Sequence, residues 1–158
     1  MVSTRRAAAV ALLLALVAAG SVAEARQHRA SLKRAGLELT RALVAGDVAK
    51  AKTFMPSHAE LAALTRKAPP KRRYRELVDR WVRKRVRELA EGKKQGKRVD
   101  VGEVRVRDVH ILDSGSKLLR RVVFATVRVS LRVDGKERGG IELFFVDVGR
   151  RWKLSIKK

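Results

Sequence analysis

The chain has 158 residues, and its 38 Lys and Arg against 16 Asp and Glu give a formal net charge of +22. It contains no cysteine, which excludes disulfides, thiolate metal sites and acylation as a lipoprotein. The length fits one domain. The excess of positive charge predicts attraction to polyanions and indicates nothing about the fold.

The N-terminus has the pattern of a secretory signal peptide. Two arginines precede a 13-residue apolar run, Ala7–Ala19, and small residues follow at Ala23 and Ala25. We predict cleavage after Ala25, a single domain over residues 26–158, and a periplasmic or secreted protein. A membrane anchor is the rival interpretation, but the run is shorter than the ~20 residues that span a bilayer. No transmembrane segment is predicted after cleavage.

Three short helices are predicted to follow. Gly46 can end the first helix in a left-handed conformation, and Asp47 can cap the second. Ser57 and Glu60 have capping-box spacing for the third, which Pro69 and Pro70 end. The predicted helices are Ser31–Ala45, Val48–Phe54 and Ala59–Arg66.

A long amphipathic helix is predicted over Lys71–Glu91. Arg85 falls within its apolar arc, near Tyr74 and Trp81. Either the Arg85 stem lies on apolar surface with its guanidinium in water, or Arg85 is a charged group at the mouth of an internal pocket. The opposite face carries five cations, which are the predicted contacts to anions: Arg73, Arg80, Arg83, Lys84 and Arg87.

After Lys97 the apolar period changes from 3.6 to 2, which predicts strands. Two phase changes between Val99 and Ile111 predict bulges or a break in the strand. Asp134-Gly135 is a hairpin signal, and Gly139-Gly140 is typical of a bend or bulge. The later strands are predicted at Val123–Val133, at Ile141–Val148 and, after a turn at Gly149-Arg150, through Trp152, Leu154 and Ile156.

The order of helices followed by a meander resembles the nuclear transport factor 2-like superfamily. Three stretches carry the resemblance: Ala42–Met55, Val122–Val133 and Ile141–Ile156. The resemblance implies an α+β fold in which a strongly curved, mostly antiparallel sheet wraps the N-terminal helices as a cone. Because the superfamily includes isomerases, dehydratases, ligand binders and non-enzymatic dimers, it does not select a function.

Signals for catalysis are weak. Asp108 and His110 share one face of a strand, but Val109 and Ile111 on the other face are the better core candidates, so the pair is predicted to face solvent. The three histidines, at positions 28, 58 and 110, have no ligand-like spacing. Phosphate loops and dinucleotide fingerprints are absent from the sequence. We therefore predict no catalytic residue, no metal and no cofactor.

Two functions from different classes fit these observations. The favoured one is a non-catalytic binding domain for anionic lipid, lipopolysaccharide or acidic polymers; nucleic acid is disfavoured because the aromatic residues fall on apolar faces. The alternative is a ligand carrier or a cofactor-free isomerase or dehydratase that uses the cone, with Tyr74, Trp81 and Arg85 at its pocket. Strand Ile141–Val148 is apolar on both faces, which predicts a sheet-to-sheet homodimer, with cover by the first helix as the rival.

Overall fold

The computed structural model describes residues 27–94, 96–115 and 117–156. The chain divides after Ser31 into two compact units. In the first unit the described residues, 27–31, are helical, and the Ser31 hydroxyl donates a hydrogen bond to His28 O at 2.9 Å. The second unit begins at Leu32 and carries the sheet. The predicted signal peptide and the last two lysines lie outside the described residues.

Among the described residues, four helices come before the sheet. No described helix has an apolar stretch long enough to cross a membrane. Their bounds are residues 27–45 for α1, Val48–Thr53 for α2, His58–Leu64 for α3 and Lys71–Lys94 for α4.

The helix boundaries follow the capping signals of the sequence. Gly46 ends α1 with φ +76°. Asp47 accepts a hydrogen bond from Lys50 N at 2.9 Å at the start of α2. Ser57 and Glu60 form the predicted capping box, with Ser57 Oγ accepting from Glu60 N at 3.1 Å and Glu60 Oε2 accepting from Ser57 N at 2.7 Å. These predictions are confirmed.

Helix α4 runs three residues past its predicted end at Glu91. The helix continues through Gly92, because one internal glycine costs a helix only about 1 kcal/mol relative to alanine. The left-handed conformation that can end a helix occurs at Gly96, with φ +69°.

The sheet is a four-stranded antiparallel meander in the order β1-β2-β3-β4. The fold is therefore α+β, as predicted. The strands span Val99–Leu112, Val122–Val133, Lys136–Val148 and Arg151–Leu154.

Two irregularities interrupt the pairing of β1 with β2. The register shifts between Val101 and Val104 and again between Val106 and Asp108, which confirms the two predicted bulges. The β2–β3 hairpin turns through Asp134-Gly135, with φ +53° and +77°, as a type I′ turn requires.

One apolar cluster joins the helices and one face of the sheet. Val127 pairs with Leu143 and Ala125 with Phe145, so these side chains share a face. The same cluster takes in Leu39 of α1 and further buried residues of α2 and α4. Full burial of an aliphatic or phenyl side chain contributes about 1.5–3 kcal/mol, so this cluster supplies most of the stabilisation. We call it the main cluster.

A smaller apolar cluster lies on the opposite face of the sheet, where the homodimer was predicted. Leu64, at the end of α3, packs there with Val122, Val146 and Val148, and Leu118 adds partial cover. Leu119 N donates to Leu64 O at 2.9 Å and holds the end of α3 in place. This part of the face is therefore covered by the end of α3 rather than by α1. We call it the outer cluster.

One core prediction is wrong. Val109 and Ile111 were expected to face the core, but they are 49% and 53% exposed. Their pairing opposite Ala125 and Val123 has the predicted orientation. Among the described residues of β1, however, the main cluster extends only as far as Val106, so nothing in it covers these two side chains.

Candidate functional site

The five predicted anion contacts all lie on α4 and are all exposed. Val78 and Val82, on another side of the same helix, are buried in the main cluster. Burial of that side fixes the rotation of the helix, and the helical spacing then directs the cations to solvent. We call these five side chains the α4 stripe: Arg73, Arg80, Arg83, Lys84 and Arg87.

Few acidic groups neutralise the α4 stripe. Lys84 Nζ lies 3.9 Å from Glu88 Oε1, at the limit of an ion pair. Among the described residues, the four arginines of the stripe form no ion pair within 4.0 Å. Lys52 pairs with Asp79 and is the main reason that the pKa of that carboxyl is lowered, with a smaller contribution from Arg83. The stripe is thus an exposed row of largely uncompensated positive charge.

Arg85 lies over an aromatic ring at the surface. Its guanidinium carbon is 5.6 Å from the Trp81 ring centroid, within cation–π range, and its Nη1 donates to Glu88 Oε2 at 2.8 Å. Neither Arg85 nor Trp81 lines the cavities described below, whereas Tyr74 lines two of them. The structure therefore does not bring the three predicted pocket residues together around one cavity.

A cleft of about 530 Å³ is lined by residues from α2, α3, α4, β4 and the segment between α2 and α3. Four cations and two carboxylates line it, so its charge is positive. Two of the cations already have partners: Lys52 pairs with Asp79, and Lys153 Nζ donates to Thr53 O at 2.7 Å. No pattern in the sequence pointed to Lys153, because its partner lies 100 residues away along the chain.

Tyr74 has a fixed role at the edge of this cleft. Its hydroxyl donates to Pro56 O at 2.6 Å. Burial, followed by the nearby Glu60 carboxylate, raises the pKa of Tyr74 to about 12. The phenol is therefore neutral at physiological pH and its proton is already donated to a carbonyl, so Tyr74 acts as a packing and orienting group and not as a base.

A second basic surface lies on the sheet, and sequence reasoning missed it. Arg105 and Arg128 are directly opposite each other across β1 and β2, and Arg107 lies beside them around a hollow of about 260 Å³. Glu103 accepts from Arg105 Nη2 at 2.6 Å, and this bond lowers the pKa of the Glu103 carboxyl. Alternation placed Arg128 on the polar face, but only the bulged register decides that Arg105 opposes it.

A third cavity, of about 300 Å³, is mainly apolar and lies between the main and outer clusters. Its lining comes from α3, α4, the segment after α3 and the ends of the strands. Sequence patterns could not predict this cavity, because an apolar residue that lines a cavity has the same spacing along the chain as one that is packed in a core.

The Asp108 and His110 side chains line none of these three cavities. Asp108 and His110 are exposed on β1, on the solvent side as predicted. Within residues 27–94, 96–115 and 117–156, no three His, Cys, Asp or Glu side chains come together in a way that could hold a metal ion.

Comparison of the chain with protein-family models, with curated proteins and with solved structures gives no match. The charges and cavities of this chain are therefore the basis on which its function is inferred.

Proposed function

We propose that this protein is an exported, non-catalytic domain that binds anionic components of the cell envelope through the α4 stripe. The observation that carries the proposal is the row of exposed cations on one helix face, four of which have no acidic partner among the described side chains. Each Lys or Arg held near an anionic membrane surface contributes roughly 1 kcal/mol. Five together are enough for salt-sensitive binding.

The basic surface on the sheet supports the same proposal. Three arginines line that hollow against two carboxylates, so it keeps an excess of positive charge. Neither surface has a bidentate or aromatic pattern aimed at one headgroup, so we propose attraction to anionic lipid, lipopolysaccharide or acidic polymers without selectivity among them.

Export and the cone-shaped, nuclear transport factor 2-like fold are further parts of the proposal. Export is supported by the N-terminal pattern that ends at Ala25. The cone is supported by the meander order and by the main cluster, which unites residues of the helices with one sheet face. That cluster is filled with Val, Leu and Phe side chains, which favours a binding domain over an enzyme or carrier that uses the interior of the cone. The sheet-to-sheet homodimer stays a prediction.

The test compares two sets of charge removals that change the net charge equally. The stripe variant carries Arg80→Gln, Arg83→Gln and Arg87→Gln. The control variant carries Arg41→Gln, Lys50→Gln and Lys136→Gln, which are exposed cations on α1, α2 and the β2–β3 hairpin. Binding to vesicles that contain phosphatidylglycerol is measured by co-sedimentation, and thermal melts confirm that both variants fold.

We expect the stripe variant to lose roughly a hundredfold in affinity, because three contacts of about 1 kcal/mol are removed. The control variant should stay within about tenfold of the original protein. Affinity should fall steeply as ionic strength shortens the Debye length. Equal losses in the two variants would show that net charge acts without the stripe, and binding that ignores salt would contradict the proposal altogether. Vesicles with phosphatidylserine at equal charge should bind equally well.

A further inference from the structure

The apolar cavity of about 300 Å³ is lined by residues of both hydrophobic clusters of the domain. From the main cluster, Tyr74, Leu154 and Ile156 line it; from the outer cluster, Leu64 and Val146 do. An apolar cavity between two clusters leaves its lining without packing partners, and an apolar chain could supply them. The polar atom of Tyr74 is already bonded to Pro56 O, so it offers no free donor to a polar group inside.

Among the described residues that line this cavity, Lys67 alone carries a charge. It is exposed and forms no ion pair with another described residue. Its backbone neighbours are fixed in place, since Thr65 bridges to Leu118 and Arg66 N donates to Lys117 O at 3.0 Å. A cation is thus held where the apolar cavity meets water.

An apolar interior with one cation and no carboxylate in its lining is complementary to a chain that ends in a single negative charge. We propose that this cavity binds a free, single-chain anionic amphiphile, a medium-chain fatty carboxylate, with its tail between the two clusters and its head at Lys67. The volume is at the lower end of the range of ligand cavities, about 300–1,000 Å³, which favours one chain over the two chains of a bilayer phospholipid.

This site is separate from the α4 stripe. None of the five stripe residues lines the cavity, so the inference stands whether or not the stripe binds membranes. The stripe variant described above should bind a fatty carboxylate as the original protein does.

The test uses octanoate, hexanoate and the uncharged 1-octanol with the full-length protein, each below the concentration at which it self-associates. Methyl NMR spectra report on Leu61, Leu64 and Val146 inside the cavity, and titration of their shifts gives the affinity. Lys67→Gln removes the cation, and Lys117→Gln is the matched control, since Lys117 is exposed nearby and does not line the cavity. Leu61→Trp and, from the α4 side, Leu77→Trp each fill the cavity.

Octanoate should shift the cavity methyls and bind about 15-fold more tightly than hexanoate, since each buried methylene is worth about fourfold. Lys67→Gln should weaken octanoate by about two- to fivefold, as expected for an exposed ion pair, and leave 1-octanol unchanged. Lys117→Gln should change neither ligand, and whichever tryptophan variant folds should lose binding of both.

Three results would overturn the inference. The first is octanoate shifts that fall on α4 cations instead of on the cavity methyls. The second is an affinity that does not change between hexanoate and octanoate. The third is a tryptophan variant that loses vesicle binding while free octanoate leaves the cavity methyls unshifted, which would identify a bilayer lipid as the occupant.

Discussion

A single hydroxyl group meets both residues at the first bulge of β1, and the energy of this contact can be measured. Ser130 is 7% exposed, and its Oγ accepts a hydrogen bond from Glu103 N at 2.8 Å across β1 and β2. Gly102 packs against the same group: a Cβ added there would lie closer than 3.0 Å to Ser130 Oγ and 3.3 Å from Ser130 O. Gly102→Ala therefore forces the hydroxyl to turn away and breaks the bond to Glu103.

The magnitude follows from that shared group. Ser130→Ala leaves the Glu103 amide without its partner, which costs about 1–2 kcal/mol of unfolding free energy. Gly102→Ala in the original background should cost about as much, because it breaks the same bond. In the Ser130→Ala background the hydroxyl is gone, so Gly102→Ala should cost only a few tenths of a kcal/mol. We expect a coupling of about 1–2 kcal/mol between the two substitutions.

Urea unfolding of the four proteins in the cycle measures this coupling. The effect of Gly→Ala on the entropy of the unfolded chain is the same in both backgrounds and cancels in the cycle. Gly115→Ala is the matched control, because a Cβ at Gly115 meets nothing within 4 Å; it should change stability by less than about 0.5 kcal/mol. An equal cost of Gly102→Ala in both backgrounds would refute the argument, since the hydroxyl would then not be the group that limits the site.

Two further predictions follow from the shifted pKa values. Tyr74 is the one tyrosine of the chain, and its pKa is raised to about 12. Phenolate absorbance at 295 nm should therefore appear near pH 12 in the folded protein and near pH 10 in urea. The stability that Tyr74 contributes is full below pH 10 and is lost as pH rises towards 12. A native titration at pH 10 would contradict this. The pKa of Glu60 is lowered from its ordinary value of 4.5, first by the hydrogen bond from the Ser57 backbone. Glu60→Ala should therefore lower the urea midpoint at pH 7 by the equivalent of about 1 kcal/mol. The difference in stability from the original protein should shrink as pH falls below 4.5 and through the lowered pKa of Glu60. A difference that stays constant from pH 7 to pH 3 would exclude the carboxylate as its source.

Local signals in the sequence determined the helices and turns. Gly46, Asp47 and Ser57 act through bonds to residues within four positions, so their consequences are readable from the chain itself. The alternation of apolar residues likewise predicted the strands, and its phase changes predicted both bulges in β1. The exposure of the α4 stripe was predictable for the same reason, because helical spacing and burial of the opposite side fix it.

Only the tertiary structure decided which groups meet across long stretches of chain. The bulged register places Arg105 opposite Arg128, and the return of the chain after α3 places Lys67 beside an apolar cavity lined by the ends of β3 and β4. Val109 and Ile111 show why alternation alone does not predict burial. Alternation correctly predicted which way these side chains point, but it could not show where the main cluster ends along β1. Periodicity reports which way a side chain points, whereas cover, cavities and charge pairs depend on which distant segments pack against it.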